Sequence, residues 1–312
     1  MTVVLLPVVL RFLSDDLWAE TKPDAPTAAD QGAASGKDEI SKDPEFLALC
    51  EAIRAQDYAR AQKLLNSVST RFPENSEVFF KLGSTFGKQN HHPEAVRAFR
   101  QAVQLKPDFT DAWYGLGFEL QQEGQTEEAI AAYRQVVKLK PDFTDAWHNL
   151  GVGLGNKGLL EEAIDALGQA IKLKPDYAPA WYSLGNVLGK QKETEETIVA
   201  YRQAIRIKPD FVEAWHSLGM ILCDQGLVEE AINAFKQAVK LKPDYATAWC
   251  GLGWSYSQQG QMEKASEAFR QAIKVKPNDA DAWHNLGVIL AKQGQPQEAE
   301  KAMRRAKELE KK

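Results

Sequence analysis

The chain has 312 residues, of which 44% are hydrophobic and 26% are charged, a composition typical of a soluble protein. Asp and Glu number 43 and Lys and Arg 38, and the net charge of −5 argues against general nucleic-acid binding, which needs a basic surface. No run of 18 or more apolar residues occurs, so we expect no stable membrane span.

The first 41 residues differ from the rest. The apolar run from Thr2 to Leu10 and the Leu-Trp-Ala sequence ending at Ala19 are typical of a signal peptide in residues 1–19. However, no Lys or Arg precedes that run, and Asp15 and Asp16 lie near the predicted cleavage site, so an uncleaved apolar tail is the alternative. Cleavage predicts an exported or periplasmic protein, and an uncleaved tail a cytoplasmic one. Residues 20–41, rich in Ala, Asp, Gly, Lys and Pro, predict a flexible linker.

The remaining residues repeat with a period of 34. Three kinds of residue keep this register seven times, which a random composition would not produce. They are the prolines Pro73, Pro107, Pro141, Pro175, Pro209, Pro243 and Pro277; the aromatic residues Phe79, Trp113, Trp147, Trp181, Trp215, Trp249 and Trp283; and the Leu-Gly pairs beginning at Leu82, Leu116, Leu150, Leu184, Leu218, Leu252 and Leu286.

The pattern within one period predicts two helices. Trp113, Leu116 and Leu120 fall on one face of a first helix, and a second helix must end at Pro141, which cannot continue it. Asp108 precedes the first helix, with Asp111 three residues later, and this spacing predicts a side-chain N-cap. Asp142 with Asp145 and Asp210 with Glu213 repeat the arrangement.

The turn between the two helices predicts a residue with positive φ in each repeat. Asn and Gly tolerate that conformation, and they occupy this position at Asn90, Gly124, Gly158, Gly226, Gly260 and Gly294. Lys192 is the exception, so we expect slight strain there.

These columns resemble the tetratricopeptide repeat family. The resemblance implies an all-α, right-handed superhelical solenoid of helix-turn-helix repeats that stack on one another. A degenerate capping repeat is expected at 42–75, followed by repeats at 76–109, 110–143, 144–177, 178–211, 212–245, 246–279 and 280–312. In the last repeat Glu300 and Lys307 replace apolar residues of the earlier repeats, which predicts a solvating C-terminal end.

The resemblance also implies that the first helices line a concave groove that binds a partner. The candidate partner-binding residues, carried over by register, are Phe80, Tyr114, Phe118, His148, Asn149, Tyr182, Asn186, His216, Met220, Trp254, His284 and Asn285. The packing pattern of the repeat does not require Tyr114, Phe118, Tyr182 or Trp254, so we interpret them as binding anchors. The alternative is that some of them pack sideways onto neighbouring repeats.

Acidic residues recur near the mouth of this groove, at Glu77, Asp111, Asp145, Glu213 and Asp281. Acids in the first turn of a helix are also favoured by the helix dipole alone. If these residues have a binding role, they would favour basic ligands.

The sequence predicts neither catalysis nor a cofactor or metal. It contains no P-loop, G-x-S-x-G, H-E-x-x-H or C-x-x-C motif. His148, His216 and His284 are two repeats apart, roughly 20 Å at typical helix spacings, which is too far to share a metal. Cys223 and Cys250 are expected to remain free thiols.

The function predicted is therefore a non-catalytic scaffold or adaptor that binds a peptide segment or helix of another protein in the groove. Two alternatives stay open: an arm that recruits substrate to a separate enzyme such as a glycosyltransferase, and an assembly factor that self-associates. We expect a monomer, with self-association as the alternative.

Overall fold

A computed structural model describes residues 42–55 and 57–310, so the predicted signal peptide or tail and the linker lie outside the described residues. This part of the chain contains sixteen α-helices and no strand. Their bounds are α1 Pro44–Arg54, α2 Tyr58–Arg71, α3 Ser76–Lys88, α4 His92–Leu105, α5 Thr110–Gln122, α6 Thr126–Leu139, α7 Thr144–Lys157, α8 Leu160–Leu173, α9 Ala178–Gln191, α10 Thr194–Ile207, α11 Val212–Asp224, α12 Val228–Leu241, α13 Ala246–Gln258, α14 Met262–Val275, α15 Ala280–Lys292 and α16 Pro296–Glu310.

The helices form hairpins in two compact units. The first unit, described over residues 42–175, contains α1–α8, and the second, over residues 176–310, contains α9–α16. Odd-numbered helices are the first, or A, helices of their hairpins, and even-numbered helices are the second, or B, helices. Within each unit every hairpin packs on the next one. The predicted all-α fold of tandem helical hairpins is confirmed.

At several junctions within the units, a buried ring of one B helix packs between two A helices. In the second unit Phe235 of α12 is fully buried. A Cβ atom added to Gly219 of α11 would lie 2.8 Å from this ring, and one added to Gly251 of α13 would lie 2.5 Å from it. The two glycines therefore leave the space that the ring fills. Phe99 has the same place between Gly83 and Gly115 in the first unit.

The tryptophan and proline columns are joined by a hydrogen bond. The indole N–H of Trp113 donates to the carbonyl oxygen of Pro107, six residues earlier, at 2.9 Å. The same bond recurs in four other repeats, between Trp147 and Pro141, Trp215 and Pro209, Trp249 and Pro243, and Trp283 and Pro277. The bond fixes the turn between hairpins and gives a physical reason for the constant spacing of the two columns.

The predicted positive φ values are confirmed. Asn90 has φ 59° and Lys192 has φ 66°, and the glycines of the other turns have φ values between 71° and 84°. Lys192 thus adopts the left-handed conformation with a Cβ atom, which costs roughly 1–2 kcal/mol relative to a right-handed conformation.

The predicted aspartate N-caps are wrong. Helix α5 begins at Thr110, and its N-cap residue is Phe109, whose side chain makes no capping hydrogen bond; Phe143 and Phe211 replace the predicted Asp142 and Asp210 in the same way. The aromatic ring decides the boundary, because the ring of Phe109 packs 5.0 Å from that of Phe80 and beneath the Lys106 ammonium group.

Side-chain contacts join neighbouring hairpins within each unit. For example, the contact between His92 and Glu119 spans 27 residues and the hydrogen bond between Asn149 and Tyr114 spans 35. One ion pair recurs between successive B helices, for example Arg134 with Glu162 at 2.5 Å and Arg202 with Glu230 at 2.6 Å. These pairs are exposed, so each contributes little to stability.

On the last described helix, α16, the side chains of Glu300 and Lys307 are exposed. Across residues 42–55 and 57–310 no helix combines the length and the apolar character that a membrane span requires.

Candidate partner-binding surface

Three large apolar side chains at equivalent positions of the repeat are exposed on A helices. Phe118 of α5 is 45% exposed, Met220 of α11 is 47% exposed and Trp254 of α13 is 42% exposed. They share one register position, and residues at this position lie on the surface that the A helices of one unit form, which we call the A-helix face of that unit. Met220 and Trp254 belong to neighbouring hairpins of the second unit. Large exposed apolar side chains are typical of interaction surfaces.

The rings one turn earlier on the A helices have a different environment. Tyr114 lies 5.9 Å from Tyr133 of its own hairpin and 4.9 Å from Phe143, which precedes the next A helix. Phe80, Tyr182 and His216 pack in the same way, with Phe99 and Phe109, Tyr201 and Phe211, and Phe235 and Tyr245 respectively. The expectation that packing does not require Tyr114 and Tyr182 is therefore wrong, because both rings link consecutive hairpins.

Some predicted polar residues of the face bond to other residues of the protein. The Asn149 side-chain amide donates to the Tyr114 hydroxyl at 3.2 Å, and Asn186 accepts a hydrogen bond from the Tyr201 hydroxyl at 2.8 Å. Burial raises the pKa of Tyr201 to about 12. These amides form the floor of the A-helix face rather than a free row of hydrogen-bonding groups.

A correlation in the sequence could have revealed this floor. Where the B helix carries a tyrosine, Tyr133 or Tyr201, the residue sixteen positions later is Asn149 or Ser217, both able to bond a hydroxyl. Where it carries Phe99 or Phe235, the corresponding residue is Gly115 or Gly251, which makes room for the ring. Phe269 departs from this rule, because the corresponding residue is Asn285.

The three predicted histidines lie in different surroundings. His148 Nδ1 is 3.2 Å from the Asn149 side-chain oxygen. Burial lowers the pKa of His216, and His284 is exposed. In the part of the chain that the structure describes, no three His, Cys, Asp or Glu side chains converge as metal ligands would.

Cys223 and Cys250 are free thiols, as predicted. Cys223 Sγ lies 3.1 Å from the Ser255 hydroxyl and so links α11 to α13. Cys250 is half-buried on α13, and its pKa is raised to about 11 by burial and further by the negative charges of Asp279 and Asp281.

Sequence reasoning missed a buried carboxylate in the first unit. Glu119 of α5 is buried, and one of its oxygens lies 2.6 Å from His92 Nδ1 at the start of α4. Gly87 makes room for this side chain, since an added Cβ atom would lie 2.2 Å from Glu119 Oε1. The signal was a single acid in a column that otherwise holds Thr85, Gly153, Val187, Ile221, Ser255 and Ile289.

Two clefts on the B-helix side were also missed. A cleft of about 580 Å³ in the first unit has Trp147, Leu150 and Leu154 in its lining, together with the Arg134–Glu162 ion pair. A cleft of about 500 Å³ in the second unit is lined by the corresponding residues Trp283, Leu286, Leu290, Arg270 and Glu298. Each cleft is lined by a residue of the tryptophan column, and this column was the feature of the sequence from which the clefts could have been predicted.

Family models match most of the repetitive region. A model described as a tetratricopeptide repeat matches residues 80–117, and one described as a TPR repeat matches residues 119–158 and 156–192. A model of the C-terminal domain of cilia and flagella-associated protein 70 matches residues 177–311. No curated protein sequence matches the chain significantly.

Solved structures resemble the chain in fold. The MamA protein is 29% identical, with a TM-score of 0.51, over 55% of this chain and 93% of MamA. YrrB, described as a TPR protein with an unusual peptide-binding site, is 24% identical, with a TM-score of 0.51, over 61% of this chain and 97% of YrrB. The C-terminal part of a TPR protein from Cytophaga hutchinsonii is 15% identical, with a TM-score of 0.64, over 77% and 99%. The last two likenesses concern the fold alone.

Proposed function

Because this chain belongs to the tetratricopeptide repeat family, we propose that it is a non-catalytic scaffold that holds a segment of another protein on its A-helix face. The segment is a single extended peptide or helix, since either one fits along a row of parallel helices. Recruitment of substrate to a separate enzyme would use the same surface and remains a special case of this function.

The observation that carries the proposal is the exposure of Met220 and Trp254 on neighbouring A helices. Tryptophan is enriched among the residues that dominate binding energy at interfaces. Methionine adapts its shape to different partners because its side chain is unbranched and flexible. Because about half of each side chain is already buried, its further burial in a complex contributes about half of the roughly 1.5–3 kcal/mol of full burial.

The remaining predicted residues divide into two groups in this proposal. His284 and Asn285 are at least partly exposed on the A-helix face of the second unit and would contact the same partner as Met220 and Trp254, whereas Phe118 is exposed on the A-helix face of the first unit and would contact a segment held there. The others form the floor beneath it through their internal contacts; they are Phe80, Tyr114, His148, Asn149, Tyr182, Asn186 and His216. YrrB supplies a precedent that a protein with this fold has a peptide-binding site.

The proposal is tested by selecting binding peptides from a phage-displayed random library on the immobilised full chain. We expect wild type to enrich a family of related peptides, and the Met220→Ser/Trp254→Ser double variant to lose their binding. A matched control, Leu241→Ser/Val275→Ser, removes two exposed apolar side chains at the ends of B helices and should bind as wild type does.

Circular dichroism of all three proteins would establish that each is folded. Equal binding of the selected peptides by wild type and the Met220→Ser/Trp254→Ser variant would contradict the proposal. Light scattering that gave twice the mass of one chain, lost in the same variant, would favour self-association through this face instead.

A further inference from the structure

The charges around Met220 and Trp254 are strongly one-sided. We call the exposed side chains of Met220 and Trp254, with the half-buried His216 and Cys250 one turn earlier on the same helices, the Met220–Trp254 patch. Helices α11 and α13 are held together beneath it by the contact between Cys223 and Ser255. The patch lies entirely within the second unit.

Two carboxylates bracket Met220 along α11. Glu213 is seven residues before it and Asp224 is four residues after it, so all three lie on one face of the helix, at separations of about 10 Å and 6 Å along the axis. All three side chains are exposed. Neither α11 nor α13 contains a lysine or arginine. The helices that carry the patch, α11 and α13, therefore have negatively charged side chains and no lysine or arginine to compensate them.

Helix α15 adds to this field. Asp281 is exposed in its first turn, and Asp279 precedes the helix. Both carboxylates raise the pKa of Cys250, after the larger effect of burial, and Lys276, which pairs with Asp279 at 3.1 Å, acts in the opposite direction. The charge of Asp279 is therefore partly compensated, while that of Asp281 reaches the patch itself. His216 does not offset it, because burial lowers the pKa of this imidazole and keeps it uncharged at neutral pH.

The lysines around the patch lie at its margins. Lys208 and Lys242 hold their ammonium groups over the rings of Phe211 and Tyr245, in the turns that precede α11 and α13. Lys190 and Lys292 lie near the C-terminal ends of α9 and α15, where the helix dipole favours a cation.

From this arrangement we infer the partner's chemistry: the Met220–Trp254 patch selects a basic, apolar segment, with Lys or Arg on both sides of an apolar side chain. The inference rests on the proposed function and specifies its ligand. The apolar side chain packs between Met220 and Trp254. The flanking cations pair with Glu213 and Asp224, and a guanidinium or ammonium group also stacks favourably on an exposed indole, the best aromatic acceptor for a cation. An acidic segment would meet the like charges of Glu213, Asp224 and Asp281.

The test uses three synthetic peptides that share one apolar core and differ only at the flanking positions, which carry Lys and Arg, Gln, or Glu. Calorimetric titration of the full chain at low salt should rank their affinities as basic, then neutral, then acidic. Neutralisation of the acids in Glu213→Gln/Asp224→Asn/Asp281→Asn should weaken the basic peptide by roughly 1.5- to 5-fold per carboxylate. The affinity for the neutral peptide should stay unchanged. High salt should reduce the difference between the basic and neutral peptides.

A matched variant separates local charge from net charge. Glu195→Gln/Glu229→Gln/Glu263→Gln changes the net charge equally, at exposed acids that begin the B helices of the same unit, and should leave all three affinities unchanged.

The possible outcomes distinguish this inference from the proposed function. Equal binding of the basic and neutral peptides, lost together in Met220→Ser/Trp254→Ser, would overturn the charge selection and leave the binding face in place. Binding of the basic peptide that survived this double variant would overturn both. A wild-type chain that bound none of the three peptides would overturn the inferred ligand chemistry, while the library selection would still decide the proposed function.

Discussion

Replacing Gly251 by alanine should destabilise the second unit, although alanine is the better helix former. The new Cβ atom would lie 2.5 Å from one ring carbon of Phe235 and 2.6 Å from another, whereas carbon atoms pack at about 3.5–4.0 Å. The ring cannot move away, because Phe235 is fully buried and an atom built on Gly219 would meet its other side at 2.8 Å. Overpacking of this kind typically costs about 1–3 kcal/mol.

Gly189→Ala supplies the matched control. Gly189 is also in an A helix of the second unit, but the nearest atom to its added Cβ is a methyl group of Thr197 at 3.7 Å, an ordinary contact. Both variants gain the helix propensity of alanine, about 1 kcal/mol. The free energy of unfolding in urea should therefore be about 1–3 kcal/mol lower for Gly251→Ala than for Gly189→Ala.

A double-mutant cycle identifies the responsible contact. Phe235→Leu replaces the ring by the smaller side chain that Leu167 has at the equivalent position of another repeat. The loss of unfolding free energy caused by Gly251→Ala should therefore be smaller in the Phe235→Leu background than in wild type. Equal unfolding free energies for Gly251→Ala and Gly189→Ala would refute the argument that the buried ring dictates this glycine.

Three further results are expected. Lys192→Gly should stabilise the chain by about 0.5–1 kcal/mol in urea unfolding, because relief of the left-handed strain exceeds the backbone entropy that glycine adds to the unfolded state; no change would mean that φ 66° is unstrained there. The pKa of the Tyr201 phenol is raised from 10.0 to about 12, so its contribution to stability is complete below pH 10.0 and is lost as the pH rises towards 12. In alkaline unfolding followed by circular dichroism, Tyr201→Phe should therefore lose less stability between pH 10.0 and 12 than wild type does. The Cys250 thiol, with its pKa raised to about 11, should react with iodoacetamide about a hundredfold more slowly than an ordinary thiol. Mass spectrometry of its tryptic peptide measures this rate, and reaction at the ordinary rate would contradict the burial assigned to Cys250.

The period of the sequence was sufficient to predict the fold. The spacing of Trp113, Leu116 and Pro141 reflects interactions within a single hairpin or turn. One of these is the hydrogen bond from the Trp113 indole to the Pro107 carbonyl, whose partners are six residues apart in sequence. Interactions of that length appear directly as a pattern in the sequence. The positive φ of Lys192 was predictable for the same reason, because its neighbours in the column are mostly glycine.

The candidate surface was predicted less well, because its details depend on contacts between repeats. Tyr114 contacts Phe143 and Asn149 in or before the next A helix, and neither partner follows from the period alone. The N-cap at Phe109 was missed because a ring contact with Phe80, 29 residues earlier, outweighs the capping preference of Asp108. The charge asymmetry around Met220 was visible as the acidic column, but its coincidence with exposed apolar side chains required the structure.

Because the hairpins of the described residues pack mainly on their neighbours along the chain, damage to one hairpin of a unit should remain local. A protease that removed a terminal hairpin would leave the inner ones with their buried rings and their indole-capped turns intact. Mechanical tension would peel hairpins away in succession rather than break the unit in one event. A unit that has lost a terminal hairpin can therefore still present the A helices of its remaining hairpins to a ligand.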